Sequence, residues 1–124
     1  MATIAIDFDG TCVTHEYPKV GRDIGAVPVL KKLVENGHQL ILFTMRSPIA
    51  HISDAIKWFD DNDIRLYAVN GNPTQNRWTS SSKALADLYI DDAGLGIPLC
   101  YTDGEPPYVD WVKVEKMLKN KALL

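Results

Sequence analysis

The sequence predicts an α/β protein: a doubly wound, mainly parallel sheet flanked by helices on both faces, in a single domain over residues 1–124. Three observations carry that expectation. Strand and helix signals alternate along the chain. Leu40-Ile41-Leu42-Phe43 is apolar without a break, as suits a central strand covered on both sides. The apolar run Thr3-Ile4-Ala5-Ile6 leads straight into Asp7-Phe8-Asp9-Gly10, and open α/β sheets bind ligands outside the carboxyl ends of their strands.

The first strand covers residues 3–7. Asp7 and Asp9 are two apart, so both side chains reach one side while Phe8 takes the other. Gly10 then lets the backbone turn away. Burying an unpaired carboxylate costs several kcal/mol, so this acidic pair against an apolar strand reads as two oxygen donors delivered to one spot. A polar loop runs on through Asp23. The first helix spans 26–36, with Pro28 in its first turn and Gly37 at its stop. After the second strand, Ser47 caps and Pro48 opens a helix whose Ile49, Ile52, Ile56 and Phe59 form one buried stripe. A third strand spans 66–69 and a long polar loop 70–82. The fourth strand, Leu88-Tyr89-Ile90, ends at Asp91-Asp92. A short fifth strand spans 99–101, and Trp111, Val114 and Leu118 mark a closing helix. Right-handed crossovers restrict the strand order. With the first strand central, the second and fourth flank it, and Thr44, Asp7/Asp9 and Asp91/Asp92 meet in one crevice. The sheet is thus expected to be Rossmann-like.

A chain of 124 residues buries a sufficient core without disulfides or structural metal. Its net charge of −3 argues against a nucleic-acid scaffold held by bulk charge, while a local basic groove stays open. Cys12 and Cys100 match no metal spacing. No apolar run approaches the roughly 20 residues of a membrane helix, and no signal peptide is recognised. The expectation is a cytoplasmic protein without membrane attachment. There is no internal repeat or low-complexity tract.

Four carboxylates in one crevice repel one another, and oxygen-rich anionic sites hold hard divalent cations. An open, partly hydrated site suits Mg²⁺ better than Zn²⁺, for which His and Cys at ligand spacing are missing. With Mg²⁺ bound, the crevice accepts phosphate. The Thr44 hydroxyl and the following backbone N–H groups, at Met45 and Arg46, face the crevice. Lys83 follows Ser80-Ser81-Ser82, which reads as the lead-in to a short helix. A lysine at a helix N-terminus is unfavourable unless an anion is shared there.

Asp7-Phe8-Asp9-Gly10-Thr11, Thr44 after its strand, Lys83, and Asp91-Asp92 after theirs resemble, in order, the four motifs of the haloacid dehalogenase superfamily. The likeness runs from about residue 3 to residue 92. It implies Asp7 as nucleophile and Asp9 as general acid and then base. It implies Mg²⁺ held by the side chains of Asp7 and Asp91 and the backbone carbonyl of Asp9, with Asp92 holding a metal-bound water. Thr44 and Lys83 would bind the phosphoryl group. An acid two residues after the nucleophile marks the phosphatase branch, so phosphate monoesters are the expected substrates. The 37 positions from Asp7 to Thr44 and the 39 from Thr44 to Lys83 leave no room for a cap domain. A capless core implies an open site, for a phosphorylated small molecule or a macromolecular phosphate, or a neighbouring copy in a homo-oligomer acting as the lid.

Several residues stay open at this stage. His15 is either a surface residue or a contact to substrate. Arg46 either meets substrate or pairs with an acid. Arg77-Trp78 either packs the long loop down or stacks a base or sugar. Asp60-Asp61 and Asp63 read as a solvated helix end, and Asp103-Gly104 as a turn. Two other functions compete with a phosphatase. A receiver-like signalling module has similar parts, but its phospho-accepting acid sits on the third strand, where 66–70 has none. A catalytically idle phosphate-binding domain has no need of mutually repelling acids.

Overall fold

The computed structural model describes residues 1–124. β1 (Thr3–Ile6) pairs in parallel with β2 (Gln39–Leu42) on one side and β4 (Leu88–Ile90) on the other, and β3 (Ala68–Val69) extends the sheet beyond β2. The order is β3-β2-β1-β4. The chain reverses its direction of travel across the sheet at β1, a Rossmann-like arrangement with a crevice at the strands' carboxyl ends. A two-stranded antiparallel ribbon, β5 (Leu99–Cys100) with β6 (Tyr108–Val109), lies outside this sheet. No helix is long and apolar enough to cross a membrane.

The helices are α1 (Ala26–Glu35), α2 (Ile49–Asp61) and α3 (Trp111–Asn120). All three pack into one cluster with Ile4, Ile6, Leu40, Leu42 and Ile90. Register and strand alternation place those residues on a single face of the sheet, and Ala5, Ile41 and Tyr89 on the other. The expectation of helices on both faces is therefore corrected. A right-handed β3–β4 crossover runs opposite to the two before it and must use the far face. This connection, residues 70–87, holds only a 3₁₀ turn at Pro73–Gln75. Its buried amides hold it together: Asn72 Nδ2 donates to the Leu85 carbonyl at 2.9 Å, and Gln75 Nε2 to that of Lys83 at 3.0 Å. Tyr89 Oη reaches it from the sheet, donating to the Ala84 carbonyl at 2.6 Å. The helix expected after Ser82 is not formed.

Most elements lie where periodicity and punctuation predict. Gly37 adopts φ +88° just past α1, the left-handed stop that favours glycine. At the start of α1, Gly25 takes the cap position and Asp23 Oδ1 accepts the Ala26 N–H at 3.1 Å. The start of α2 differs from expectation. Pro48 itself is the cap residue and no side chain bonds the first turn, so Ser47 does not act as cap. The buried stripe of α2 holds only in part: Phe59 is buried as expected, but Ala55 takes the place of the isoleucines, with Ile49 79% and Ile56 37% exposed. The helix packs through Ala55, Phe59 and Trp58, whose ring meets Phe8 edge-on at 5.6 Å. β3 is shorter than the expected 66–69, and β6, just past Pro106-Pro107, is a strand for which the sequence carries no expectation.

The loop between β1 and α1 is less polar in its packing than in its composition. Thr11, Cys12, Val13 and Thr14 are buried. Trp111, at the start of α3, donates its indole N–H to the Thr11 carbonyl at 2.7 Å, tying the closing helix to the residues after Asp9. Trp111→Phe leaves that carbonyl buried without its partner. The expected loss is about 1–3 kcal/mol, read as a lower urea midpoint at unchanged slope.

Candidate functional site

At the carboxyl ends of β1, β2 and β4 lies a cavity of about 560 Å³. It is lined by Asp7, Asp9, His15, Tyr17, Phe43, Thr44, Met45, Arg46, Asp91, Asp92 and Ala93. The register explains the gathering. Ile6 pairs with Leu42 and Ile90, so the residues following each strand emerge side by side. Asp7 N–H continues the ladder to the Ile90 carbonyl at 3.0 Å, which holds Asp7 next to Asp91.

Asp7, Asp91 and Asp92 each offer an oxygen within 4.8 Å of the others'. Thr11 Oγ1 donates to Asp7 Oδ2 at 2.8 Å and accepts the Asp92 N–H at 3.0 Å. Burial, then the nearby charge of Asp91, pushes the Asp7 carboxyl up to about 8, against the pull of the Thr11 hydroxyl. No lysine or arginine pairs with Asp7, Asp91 or Asp92. A close set of carboxylate oxygens without a lysine or arginine partner fits a hard divalent cation, and Asp7, Asp91 and Asp92 could hold Mg²⁺.

Asp9 faces elsewhere. Arg46 Nε donates to Asp9 Oδ2 at 2.8 Å and Nη2 to Oδ1 at 2.7 Å. The remaining guanidinium protons go to the carbonyls of Pro18, His51 and Lys19, at 3.2, 3.1 and 2.9 Å. All five donors of Arg46 are thus used, and its charge lies over the rings of Phe8 and Tyr17 at 5.0 and 5.2 Å. Of the two readings open for Arg46, pairing with an acid is the one the structure has. The Asp9 carboxylate stands outside the acid cluster.

Thr44 lines the crevice. Its backbone N–H donates to Asn70 Oδ1 at 2.8 Å and its Oγ1 accepts the Arg46 N–H at 3.1 Å. That uses the Arg46 amide which was expected to face a phosphate. The Met45 N–H has no partner within the protein, so it and the Thr44 hydroxyl proton are the donors left free here. Lys83 is not brought to the crevice. It is exposed on the 70–87 connection, its Nζ 5.8 Å from the Tyr89 ring centroid. The helix that would have turned it toward the strand ends is absent.

Two residues without a settled role in the sequence belong to the site. His15 lines the crevice, with Nε2 2.7 Å from Asp92 Oδ2. Its partner is 77 residues away, and no local pattern signals that contact. Thr11, counted in the first motif without a role of its own, bridges Asp7 and Asp92. Burial and the neighbouring Asp7 charge push the Cys12 thiol well above its usual range, so it stays protonated. His38 is structural, bonded to the Ala2 N–H and the Leu123 carbonyl. Trp78 is exposed and outside the crevice.

Neither a family model nor a curated protein matches the chain. Among solved structures it is similar to a conserved protein coded by a locus of Bacteroides thetaiotaomicron, at 37% sequence identity and a TM-score of 0.78. The match covers 97% of this chain and 91% of that one. The chain belongs to the family of that conserved protein. The shared fold extends over nearly the whole length of both chains, so the strand-end crevice lies inside the common architecture.

Two outcomes follow from these contacts. Folding raises the proton affinity of Asp7, so in metal-free protein the stabilisation from a protonated Asp7 is full below about 3.8 and is lost as pH rises through about 8. Unfolding free energy should fall across that window in the wild type and fall less in Asp7→Asn. Equal pH dependence in both proteins would exclude Asp7 as the source. Arg46→Met strands the Asp9 carboxylate in a largely enclosed place, at an expected cost of about 3–5 kcal/mol in denaturant unfolding.

Proposed function

We propose that the chain is a Mg²⁺-dependent phosphatase of the haloacid dehalogenase type, with a capless core, cleaving phosphate monoesters through an aspartyl-phosphate on Asp7. The observation that carries this reading is the position of Asp7. It ends the central strand β1 beside two further acids, in a crevice whose opposite wall keeps the Thr44 hydroxyl and the Met45 N–H free. A nucleophile on one side and donors for phosphoryl oxygens on the other is the layout that phosphoryl transfer requires.

In the first step an Asp7 oxygen bonds to phosphorus and the ester oxygen leaves as an alcohol after taking up a proton. In the second, water attacks phosphorus, the bond to Asp7 breaks, and inorganic phosphate departs. Thr44 and Met45 hold the phosphoryl oxygens through both steps. Asp9 supplies the proton and later takes one from water. To do so it gives up one of its bonds to Arg46, whose three backbone carbonyl contacts keep the guanidinium in place meanwhile. Mg²⁺, when bound, offsets the charge of the acids and of the phosphoryl oxygens and favours the ionised form of Asp7. Arg46 is the one lysine or arginine in the lining and its donors are committed, so phosphate has little other positive charge to meet there. Met45 is 98% exposed beside the crevice. An open mouth would take a small phosphate ester or a phosphate borne on a macromolecule.

The test is phosphate release from p-nitrophenyl phosphate and a panel of phosphorylated metabolites, with Mg²⁺ and with chelator. Hydrolysis should need the metal. Asp7→Asn should lose about 10³-fold or more in kcat while keeping its fold, and Lys83→Ala should stay near wild type. Turnover that survives chelation or Asp7→Asn would overturn the reading.

A further inference from the structure

Three carboxylates that repel one another stay together only if each is held, and the structure has one strong donor for each. Asp7 Oδ2 receives the Thr11 hydroxyl proton at 2.8 Å. Asp91 Oδ1 receives the Ala93 N–H at 2.8 Å, a contact within its own turn. For Asp92 the donor comes from far along the chain: His15 Nε2 lies 2.7 Å from Oδ2. The other approach to this carboxylate, Thr11 Oγ1 at 3.5 Å from Oδ1, is the weaker, since that hydroxyl has a single proton and gives it to Asp7. An ionised carboxylate only accepts, so Nε2 carries the proton of this bond.

Gly10 makes the contact sterically feasible. It adopts φ +80°, and a Cβ there would collide with the His15 ring and the Asp92 carboxylate. The loop after Asp9 is thus shaped so that His15 folds back over the end of β4. Thr11 anchors the Asp92 backbone from beneath, and His15 fixes the carboxylate from the crevice side.

We infer that His15 is a positioning residue for the acid cluster, holding the Asp92 carboxylate so that a divalent cation meets three acids instead of two. The inference rests on the metal site of the proposed function. Donors behind a ligating carboxylate orient it, and their loss costs metal affinity without removing a ligand.

The test reads metal binding, with Mn²⁺ titrated calorimetrically into metal-free protein. His15→Phe and His15→Ala should weaken Mn²⁺ binding about tenfold or more, while His15→Gln, which keeps an N–H donor, should stay within about threefold of wild type. In the Asp92→Asn background, His15→Phe should cause little further loss, because the two residues act through one contact. Wild-type affinity in His15→Phe or His15→Ala, or a full further loss in the Asp92→Asn background, would overturn the inference. So would a wild-type protein that binds no Mn²⁺, which would also remove the metal from the proposed mechanism. The expected pattern in a protein that hydrolyses no ester would support the role of His15 and sink the phosphatase reading alone.

Discussion

Like charges held close against their repulsion are the constraint around which this structure is arranged. The register of β1 with β4 sets Asp7 beside Asp91 and Asp92, and none of the three has a lysine or arginine partner. Burying Asp7 and setting it beside another carboxylate are both unfavourable, and the upward push on Asp7 records that cost, burial first and the Asp91 charge after it. The sheet tolerates it because the cost is local. It falls at the strand ends, while Ile4, Ile6, Leu40, Leu42 and Ile90 below carry the packing.

A second arrangement keeps the surroundings rigid. Arg46 takes both oxygens of Asp9 and three carbonyls from the 7–25 loop and the first turn of α2, so one buried cation joins two segments over the crevice. A guanidinium suits that place because its fork of five donors has a fixed geometry. Trp111 adds a third tether, from α3 to Thr11. The loop beside the acids is therefore held by its own partners and does not depend on a cap domain for order.

Much of this is legible in the chain, and the exceptions share a cause. β4 and the apolar stripe of α3, Trp111, Val114 and Leu118, fall where spacing puts them. So do the ends of α1, because each depends on side chains near in sequence. The acids Asp7, Asp91 and Asp92 are legible because acids directly after buried strands are conspicuous. The misplacements concern partners distant in sequence. The α2 stripe keeps Phe59 but trades its isoleucines for Ala55, because Phe8 and the sheet decide which side is covered, and isoleucines alone do not. Lys83 reads as a phosphate ligand only if a helix follows Ser82, and the Gln75 amide instead binds that segment as an irregular strap. A two-residue strand such as β6 has no period to detect. His15 gains its place through Asp92, which no local pattern could supply.

The two faces of the sheet are covered by different materials, and they will tolerate sequence change differently. Beneath the helices the contacts are hydrocarbon, so aliphatic exchanges of equal volume can repack without loss of partners. On the opposite face the 70–87 strap is held by the amides of Asn72 and Gln75 against specific carbonyls. An apolar isostere there would leave those oxygens enclosed and unbonded, a fault that neighbouring side chains cannot fill by moving. Descendants of this chain are thus free to vary the greasier half of the molecule, while the polar half is locked to two particular carboxamides.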